Sequence, residues 1–351
     1  MTTLVTGGAG FIGANVAHRL LSAGERVRLL DDLSRRHVER NVSWLRQTHG
    51  DVDLVVGDVR DGAAVRAAMR DVSHVFHFAA QVAVTTSLLD PLHDFDVNAR
   101  GTLVVLEAMR AMKEPPSLLY TSTNKVYGAC DDVAFVRQGR RYVPEEARLR
   151  DGGIDEARPL SFHSPYGCAK GTADQYVLDW ARTYGLRTCV FRMSCIYGPR
   201  QFGNEDQGWV AHFLLRAERG EPITIYGDGH QVRDVLFVDD LVDAMLLARA
   251  AMPAVAGQAF NVGGGPANAL SLLELLARIE ARLGRRPEVS FEPWRTADQR
   301  WYVSDVRELG RVLDWRPRTS VDEGLDRLRT WIAASGLASR RDGATAPEAA
   351  Q

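Results

Sequence analysis

Near its start the sequence reads Thr3-Leu4-Val5-Thr6-Gly7-Gly8-Ala9-Gly10-Phe11-Ile12-Gly13. The apolar residues before the glycines predict a short buried strand, and the periodicity of residues 14–23 predicts a helix after them. Gly7 permits a tight turn, Gly10 lets a pyrophosphate approach the backbone, and Gly13 lets the helix pack closely on the sheet. The N-terminus of such a helix also offers unpaired N–H groups to phosphates.

The same alternation of strand and helix continues through the first half of the chain. Apolar runs predict strands, and helical periodicity predicts helices, at residues 26–30, 52–56, 75–80, 118–122 and 187–192 for the strands and 61–71, 90–113 and 166–184 for the helices. Strands that are apolar on both faces are typical of a parallel sheet covered by helices. The sequence therefore predicts an α/β fold built on a Rossmann-type doubly wound parallel sheet, which binds ligands at the carboxyl ends of its strands.

After residue 190 the sequence pattern changes and predicts short strands, loops and short helices. We predict a first domain at 1–190 and a smaller C-terminal substrate-binding domain at 191–335 that is interleaved with it. The polar residues 336–351 have little apolar surface to bury and are predicted to form a disordered tail. Residues 129–160 are rich in Arg, Asp and Glu and are predicted to be an irregular surface excursion.

Two carboxylates, Asp31 and Asp32, follow the second predicted strand. An acid about 20 residues after the glycines is where a ribose 2′-hydroxyl is held. Asp31 would repel a 2′-phosphate, which favours NAD over NADP. The neighbouring Arg35 and Arg36 weaken that preference, and we interpret them as a solvated basic turn.

A second functional signal lies at Tyr166 and Lys170, whose spacing puts both side chains on one face of a helix. Ser164 and Pro165 fit the cap and first turn of that helix. A free tyrosine has a pKa of about 10, and a neighbouring ammonium favours its phenolate. Such a tyrosine takes a proton from a substrate hydroxyl and returns it. By itself the spacing is also common on helices without any catalytic role.

Composition excludes several other classes of protein. The chain has 351 residues and a formal net charge of −2, so it shows no electrostatic footprint for nucleic acid or membrane surfaces. No apolar run is long enough to span a bilayer, and no secretory signal is visible. The four cysteines lack CxxC spacing, which argues against a metal site or a disulfide framework and fits the cytoplasm.

Taken together, the motifs resemble those of the extended short-chain dehydrogenases that act on nucleotide sugars. The resemblance covers about residues 2–333. It rests on a series of short motifs in a fixed order: Thr6–Gly13, Asp31-Asp32-Leu33, Gly57-Asp58-Val59, His77-Phe78-Ala79-Ala80, Asn98 with Gly101-Thr102, Ser122-Thr123, Tyr166 with Lys170, Tyr197-Gly198-Pro199, Arg233-Asp234, Val238-Asp239-Asp240, Asn261-Val262-Gly263, and Arg295 with Asp298.

The resemblance implies three sets of site residues. The catalytic set is Thr123, Tyr166 and Lys170. The set for the cofactor, NAD, is Gly7, Gly10, Phe11, Ile12, Gly13, Asp31, Asp32, Asp58, Val59, Phe78, Ala79, Ala80, Gln81, Asn98, Thr121, Tyr166 and Lys170. The set for a nucleotide-diphospho-sugar is Thr86, Thr123, Asn124, His163, Cys195, Arg200, Gln201, Gln207, Trp209, Tyr226, Arg233, Arg295 and Arg300.

Several of these residues also have a plainer interpretation. Arg233 is suited to bidentate contact with phosphate, but it is also placed for a surface salt bridge with Asp234. Trp209 fits a core anchor as well as it fits a substrate pocket. His163 is interpreted as a hydrogen-bond partner rather than an acid, and His77 as structural.

Several longer segments resemble the sequences of the CDP-paratose 2-epimerase subfamily. They are residues 81–87, 122–128, 162–168, 200–202, 206–210, 271–275 and 298–300. Two departures are informative. Sugar 4,6-dehydratases carry Asp-Glu after the catalytic threonine, where this chain has Asn124-Lys125, so the acid and base of dehydration are missing. Many family members have an asparagine at Cys195 that touches the substrate diphosphate, so this chain must hold the diphosphate differently there.

The resemblance implies an enzyme that inverts C2 of a CDP-hexose or CDP-deoxyhexose through a transient keto intermediate. Three alternatives stay open: a 4-epimerase of UDP- or CDP-sugars, a nucleotide-sugar reductase or dehydrogenase with net cofactor turnover, and a non-catalytic NAD-sensing protein. Family members commonly dimerise through the helices that correspond to 90–113 and 166–184. The spacing of Leu103, Leu106 and Met109 permits such a homodimer.

Overall fold

The structure of the protein, a computed structural model, describes residues 2–339. Numbered β1 to β15 along this part of the chain, the strands are Thr2–Thr6, Arg26–Asp31, Asp53–Val56, Val72–His77, Ser117–Thr123, Phe135–Gln138, Arg141–Pro144, Thr188–Met193, Cys195–Tyr197, Ile223–Tyr226, Val232–Phe237, Ala259–Val262, Ala269–Ser271, Val289–Glu292 and Trp301–Tyr302.

Numbered in the same way, helices α1 to α14 are Phe11–Ser22, Val38–His49, Gly62–Ala68, Val84–Leu89, Pro91–Phe95, Gly101–Arg110, Ala147–Gly152, Ser164–Tyr184, Trp209–Arg219, Val238–Ala250, Met252–Val255, Leu272–Leu283, Arg307–Leu313 and Val321–Ala334. Two 3₁₀ turns, Asn124–Tyr127 and Pro266–Asn268, and one π turn, Asp96–Arg100, complete the described elements.

The main sheet has seven strands in the order β12-β8-β5-β4-β1-β2-β3. Every neighbouring pair in it is parallel. The chain starts at β1, winds outward to β3, crosses back to β4 and winds the other way, which confirms the predicted Rossmann-type doubly wound α/β fold. Such a reversal opens a crevice at the carboxyl ends of β1 and β4, where ligands bind.

Apolar side chains fill both faces of this sheet. One face packs Val16 and Leu20 of α1 against Leu29 and Phe76, and the other packs Leu106 and Met109 of α6 against the sheet. Leu106 and Met109 are fully buried there. The expectation that they are available for a dimer contact is therefore wrong, because a spacing of three points a side chain inward as readily as outward.

The C-terminal half contributes both to the main sheet and to smaller sheets. Strands β8 and β12 belong to the main sheet, whereas β11 pairs with β13, β15 and β9, and β10 pairs with β14. A boundary at residue 190 falls inside β8, and the division into domains stays a prediction. Residues 336–339 form a turn after α14. The rest of the predicted tail, 340–351, lies outside the described residues.

Two segments differ from their predicted secondary structure. The predicted single helix at 90–113 is two helices, α5 and α6, joined by the π turn that carries Asn98. There the Asn98 amide donates to the Gln81 carbonyl at 2.9 Å and to Asp94 at 3.0 Å. Residues 129–160, predicted to be irregular, contain the antiparallel hairpin β6–β7 and helix α7. The hairpin is held by distant partners such as Glu274, which Arg141 contacts, so the local pattern does not show it.

No helix within residues 2–339 combines the length and the apolar character that crossing a membrane requires.

Two histidines of β4 are buried as neutral side chains. The His77 ring contacts the hydroxyls of Thr6 at 2.6 Å and Thr102 at 3.1 Å, and the His74 ring contacts Ser117 at 2.8 Å. Burial lowers the pKa of both to about 3. The unfolded chain therefore binds protons that the folded protein does not, between the ordinary histidine pKa of about 6.5 and a pH of about 3.

We expect folding stability to fall as the pH drops through this window. Each of the two histidines should cost about 2 kcal/mol at pH 5 relative to pH 7. Urea unfolding of His77→Asn should show a pH 7-to-5 loss that is smaller by about that amount. The exposed His37→Asn is the control and should keep the wild-type loss. An unchanged loss in His77→Asn would mean that His77 is not neutral in the folded protein.

Candidate active site

The glycine turn meets the end of β4 at the crevice. Gly7 has a φ of +65°, and a Cβ added to it would lie 2.8 Å from the Ala79 nitrogen. A Cβ on Gly13 would lie 2.3 Å from the Gly7 carbonyl oxygen. Only glycine fits at either position, so the turn stays close enough to the sheet for a pyrophosphate to reach the first turn of α1. That turn, which contains Phe11 and Ile12, has no side-chain cap, so its N–H groups are available to phosphate.

A groove of about 460 Å³ runs along the carboxyl ends of β1 to β4. Most of the predicted cofactor residues line it: Gly7, Gly10, Asp31, Asp32, Asp58, Val59, Phe78, Ala79, Ala80 and Gln81. Thr86 and Gln207, predicted for the substrate, line it as well. Its size, its glycine cradle and its unpaired helix N-terminus suit a dinucleotide.

The two carboxylates after β2, Asp31 and Asp32, lie in different environments. The Asp31 carboxylate accepts the N–H groups of Ala9 and Leu33, both at 2.9 Å, and burial raises its pKa. Asp31 thereby braces the glycine turn, whereas Asp32 is exposed. Arg35 is exposed, as the interpretation as a solvated turn implies, but it also lines the groove and donates to the Gln207 side chain.

A further charged pair lies at the end of β3. The Arg60 guanidinium donates to Oδ2 of Asp58 from Nε at 2.9 Å and from Nη2 at 2.6 Å, and to Oδ1 from Nε at 3.1 Å. This hydrogen bonding lowers the pKa of Asp58. Arg60 lines the groove too, and the sequence motifs did not single it out.

The predicted catalytic residues are buried where β5 meets α8. Thr123 ends β5, and Tyr166 and Lys170 lie on the first turns of α8. The Ser164 hydroxyl accepts the N–H of Gly167 at 3.2 Å, as the predicted cap, although the helix is already formed at Ser164. The Tyr166 N–H donates to Ser87 at 3.2 Å, which ties the start of α8 to α4.

Burial dominates the protonation of this set. It raises the pKa of Tyr166 to about 12, against the hydrogen bond with Thr123, which lowers it. Burial also lowers the pKa of Lys170 to about 7. The Lys170 ammonium donates to the Thr121 carbonyl at 2.6 Å and lies 4.2 Å from the centroid of the Tyr120 ring. The expected lowering of the Tyr166 pKa by Lys170 is therefore not seen in this structure, where the pKa is raised because burial of the phenol dominates.

Arg233 lies on β11, deep in the second half of the site. Its guanidinium donates to Asp298 and to the Gln299 carbonyl, both at 2.6 Å, and to the Val232 carbonyl at 2.7 Å. The alternative of a surface salt bridge with Asp234 is wrong. Asp234 points the other way, where it accepts from Ser194 and from the Gly265 N–H, since successive side chains of a strand face opposite sides.

Five further predicted substrate residues fall into two groups. Cys195 and Trp209 lie together beside Arg233, and Asn124 is buried beside Thr123. Both Trp209 and Cys195 are partly buried against the main core, so Trp209 borders the core and the site at once. The second group is Tyr226 and Arg295: the guanidinium of Arg295 stacks 3.9 Å from the Tyr226 ring centroid and pairs with Asp206 at 3.2 Å.

Of the last four predicted substrate residues, Arg200 lies away from these two groups. Arg200 stacks 3.9 Å from the ring centroid of Trp44, in a separate cavity of about 390 Å³ between α2 and α14. Its φ of +73° turns the side chain that way, which a motif does not reveal. Gln201 is buried and donates to the Ile196 carbonyl at 3.1 Å. His163 and Arg300 are exposed.

The site also holds residues that the sequence analysis did not place in it. The Lys125 ammonium donates to the Ala297 carbonyl at 3.1 Å and lies 3.7 Å from Asp298. Buried Asp94 accepts from Asn98, and burial raises its pKa to about 6. Lys125 was visible in the sequence only as the absence of an acid. Within the described residues there is no cluster of three or more side chains that suits a metal ion.

Known proteins are similar to this chain along almost its whole length. Residues 3–263 match the family described as the NAD dependent epimerase/dehydratase family. The CDP-paratose 2-epimerase of Salmonella typhi is 40% identical over 341 residues, which are 95% of this chain and 100% of that protein. The UDP-glucose 4-epimerase of Mycolicibacterium smegmatis is 34% identical over 93% of this chain and 96% of its own.

Solved structures agree with the sequence relatives. The UDP-glucose 4-epimerase of Thermotoga maritima, solved with UDP-glucose, has a TM-score of 0.81 and 31% identity, over 95% of this chain and 99% of that one. The Thermus thermophilus UDP-glucose 4-epimerase, solved with NAD, has a TM-score of 0.77 and 33% identity, over 94% of this chain and 99% of that one. The chain belongs to the NAD dependent epimerase/dehydratase family.

Proposed function

We propose that the protein is an NAD-dependent epimerase that inverts C2 of a CDP-hexose or CDP-deoxyhexose. The observation that carries the reaction class is the buried set of Thr123, Tyr166 and Lys170 where β5 meets α8. The Tyr166 N–H donates to Ser87, the neighbour of Thr86, which lines the groove. Asn124 and Lys125 follow the threonine in place of the acids that dehydration needs. The likeness to the CDP-paratose 2-epimerase of Salmonella typhi, over the full length of that protein, supports the sugar and the reacting carbon.

Each catalytic residue has one task in the proposed reaction. Tyr166 takes the proton of the sugar hydroxyl and later returns it. Thr123 donates a hydrogen bond to the reacting oxygen, and Lys170 would hold the cofactor ribose. In this structure hydrogen bonding with Thr123 lowers the pKa of Tyr166, against the larger effect of burial. When bound in the groove beside Gly7, Gly10 and Asp31, NAD would supply the hydride acceptor and donor for the sugar carbon.

Inversion requires the keto sugar to turn over in the pocket without leaving. We assign to Arg233 and Arg295 the task of keeping the diphosphate in position while the sugar rotates, since a guanidinium matches phosphate geometry. Hydride then returns to the opposite face. The cofactor is regenerated in every cycle, so we expect tightly held NAD and no net consumption.

The test is a proton NMR time course in D₂O without added NAD. CDP-paratose, CDP-glucose and UDP-glucose are each mixed with the purified protein. Inversion at C2 of a CDP-sugar with no deuterium entering carbon is the expected result. Inversion at C4 would instead support a 4-epimerase, the second candidate, which the 34% identical UDP-glucose 4-epimerase favours. Stoichiometric formation of NADH, or no change in any tube even with NAD, would contradict both.

We also propose a cytoplasmic homodimer. Exposed apolar side chains lie on α4, α5 and α8, including Leu89 at 87%, Leu92 at 78% and Tyr184 at 48% exposure. A monomer that contacts only water there would leave an apolar patch uncovered. Light scattering should give twice the chain mass, and a monomer at micromolar concentration would contradict the proposal. The four unpaired cysteines suit a reducing compartment.

A further inference from the structure

Three charged side chains lie together near Cys195: Lys125, Arg233 and Asp298. Asp298 lies between two cations: Arg233 donates to it at 2.6 Å, and the Lys125 ammonium lies 3.7 Å away. The side chains of Lys125, Arg233 and Asp298 are only 18%, 8% and 23% exposed. Lys125, Arg233 and Asp298 together form the cation cluster, two cations around one carboxylate.

With both cations charged, the cation cluster carries one more positive than negative charge, and burial lowers the pKa of Lys125. Within residues 2–339, Asp298 is the only carboxylate that forms an ion pair with Lys125 or Arg233. The next acid, Asp234, serves Ser194 and Gly265 instead, and burial raises its pKa, which favours its neutral form. A charge held away from water without a partner is costly. The cation cluster is therefore built to receive an anion.

Lys125 is the cation with unused donors. An ammonium has three N–H groups, and only one of them has a hydrogen-bond acceptor here, the Ala297 carbonyl at 3.1 Å. The backbone N–H of Lys125 donates to the Thr123 hydroxyl at 3.2 Å, so the residue starts from the catalytic threonine itself. Its side chain runs from there to Asp298 and Arg233. Lys125 therefore contacts Thr123 through its backbone and lies beside Asp298, the partner of Arg233, through its side chain.

Composition points to the same residue. Lys and Arg together number 43, yet only three are lysines: Lys113, Lys125 and Lys170. Lys113 is exposed and Lys170 is in the proposed catalytic set. In a chain that uses arginine almost everywhere, a half-buried lysine indicates a place where a compact ammonium fits and a planar guanidinium does not.

A purely structural role explains less. Arg233 already holds Asp298 and the Gln299 carbonyl, and the Gln299 amide donates to the Gly128 carbonyl at 2.7 Å. This segment is therefore anchored without Lys125. We infer that Lys125 is a substrate-binding residue whose ammonium holds an oxygen of the diphosphate next to the sugar, an inference that rests on the proposed function for the identity of its ligand.

The experiment compares Lys125→Met with the wild type and with Lys113→Met, the matched removal of an exposed lysine. Thermal unfolding is followed against inorganic pyrophosphate, with saturating NAD so that the cofactor's own phosphate subsite is filled. Pyrophosphate that binds the folded protein raises its melting temperature. Lys125→Met should need about 10- to 100-fold more pyrophosphate for the same rise, the loss expected from one charge-assisted hydrogen bond. Lys113→Met should match the wild type.

Turnover supplies the second readout. With a CDP-sugar, Lys125→Met should raise KM by about the same 10- to 100-fold while kcat changes much less, because a tether is lost and the proton-transfer groups remain. NAD content should be unchanged. Lys125→Gln, which removes the charge but keeps a polar side chain, should show a similar loss of the pyrophosphate response, and it replaces the methionine variant if that variant does not fold.

Two results would overturn the inference. One is a wild-type protein that pyrophosphate does not stabilise. The other is a Lys125→Met protein with the wild-type response, even if it melts at a lower temperature, because that outcome would leave Lys125 a purely structural role. If pyrophosphate binds through Lys125 but no CDP-sugar reacts, the proposed function fails and the anion site stands.

Discussion

Replacement of Tyr166 by phenylalanine is expected to lower kcat of the epimerase by at least about 10²- to 10⁴-fold, the contribution of a positioned proton-transfer group. The ring stays in place, so the packing of α8 is kept and only the hydroxyl is lost. That hydroxyl is the group whose pKa is lowered by hydrogen bonding with Thr123. Turnover is measured by the NMR time course, with NAD retained on the protein checked by its release on denaturation.

Retained NAD separates loss of chemistry from loss of the fold. The matched control is Tyr176→Phe on the same helix, where the side chain is 39% exposed and edge-on to Trp180. It should keep wild-type turnover. If Tyr166→Phe keeps full activity, Tyr166 is not the base, and if it loses NAD, its role is in cofactor binding instead.

The second large effect concerns the buried ion pair behind the catalytic helix. Arg192 on β8 makes a bidentate contact with Asp174 on α8, at 2.9 Å and 3.0 Å, and both side chains are almost fully buried. Asp174→Ala leaves the guanidinium without its partner. We expect the free energy of unfolding to fall by about 3 to 5 kcal/mol, measured by urea unfolding.

A double variant distinguishes an unpaired charge from lost packing. Asp174→Leu combined with Arg192→Met removes both charges and keeps apolar volume, so it should destabilise much less than Asp174→Ala alone. An exposed pair supplies the control: Glu308→Ala, which breaks the pair with Arg311, should cost about 1 kcal/mol or less. A cost of that size for Asp174→Ala would show that the buried pair does not stabilise α8.

The ion pair also bears on activity through position. Asp174 is on the helix that carries Tyr166 and Lys170, and Arg192 is beside β5, which ends at Thr123. The Arg192 guanidinium further donates to the Tyr127 hydroxyl at 3.2 Å, and Tyr127 donates to Asn261 at 2.8 Å. The network therefore sets the distance between the two elements that present the catalytic groups.

Much of the candidate site was predictable because its signals are local. The glycine turn, the acids after β2 and the Tyr166–Lys170 pair each depend on residues close together in the chain, and the structure places all of them at one edge of the sheet. Arg200 shows the limit of this reasoning. It lies in a motif with Gln201, but a left-handed backbone at that residue sends it to the opposite side of the loop.

Lys125 shows a different limit. In the sequence it marks only that the acids of a dehydratase are missing. Its partners, Ala297 and Asp298, lie far along the chain, and so does Arg233. The surplus of positive charge exists only once three distant segments meet, and no local pattern encodes that sum.

By itself the sequence determined the order of strands and helices, the glycine turn and the spacing of Tyr166 and Lys170, because apolar periodicity and backbone freedom act over a few neighbouring residues. Only the tertiary structure decided that Arg233 pairs with Asp298 rather than Asp234, that Leu106 and Met109 are buried, and that burial raises the pKa of Tyr166 to about 12. Those outcomes depend on burial and on partners from distant segments, which exist only in the folded chain.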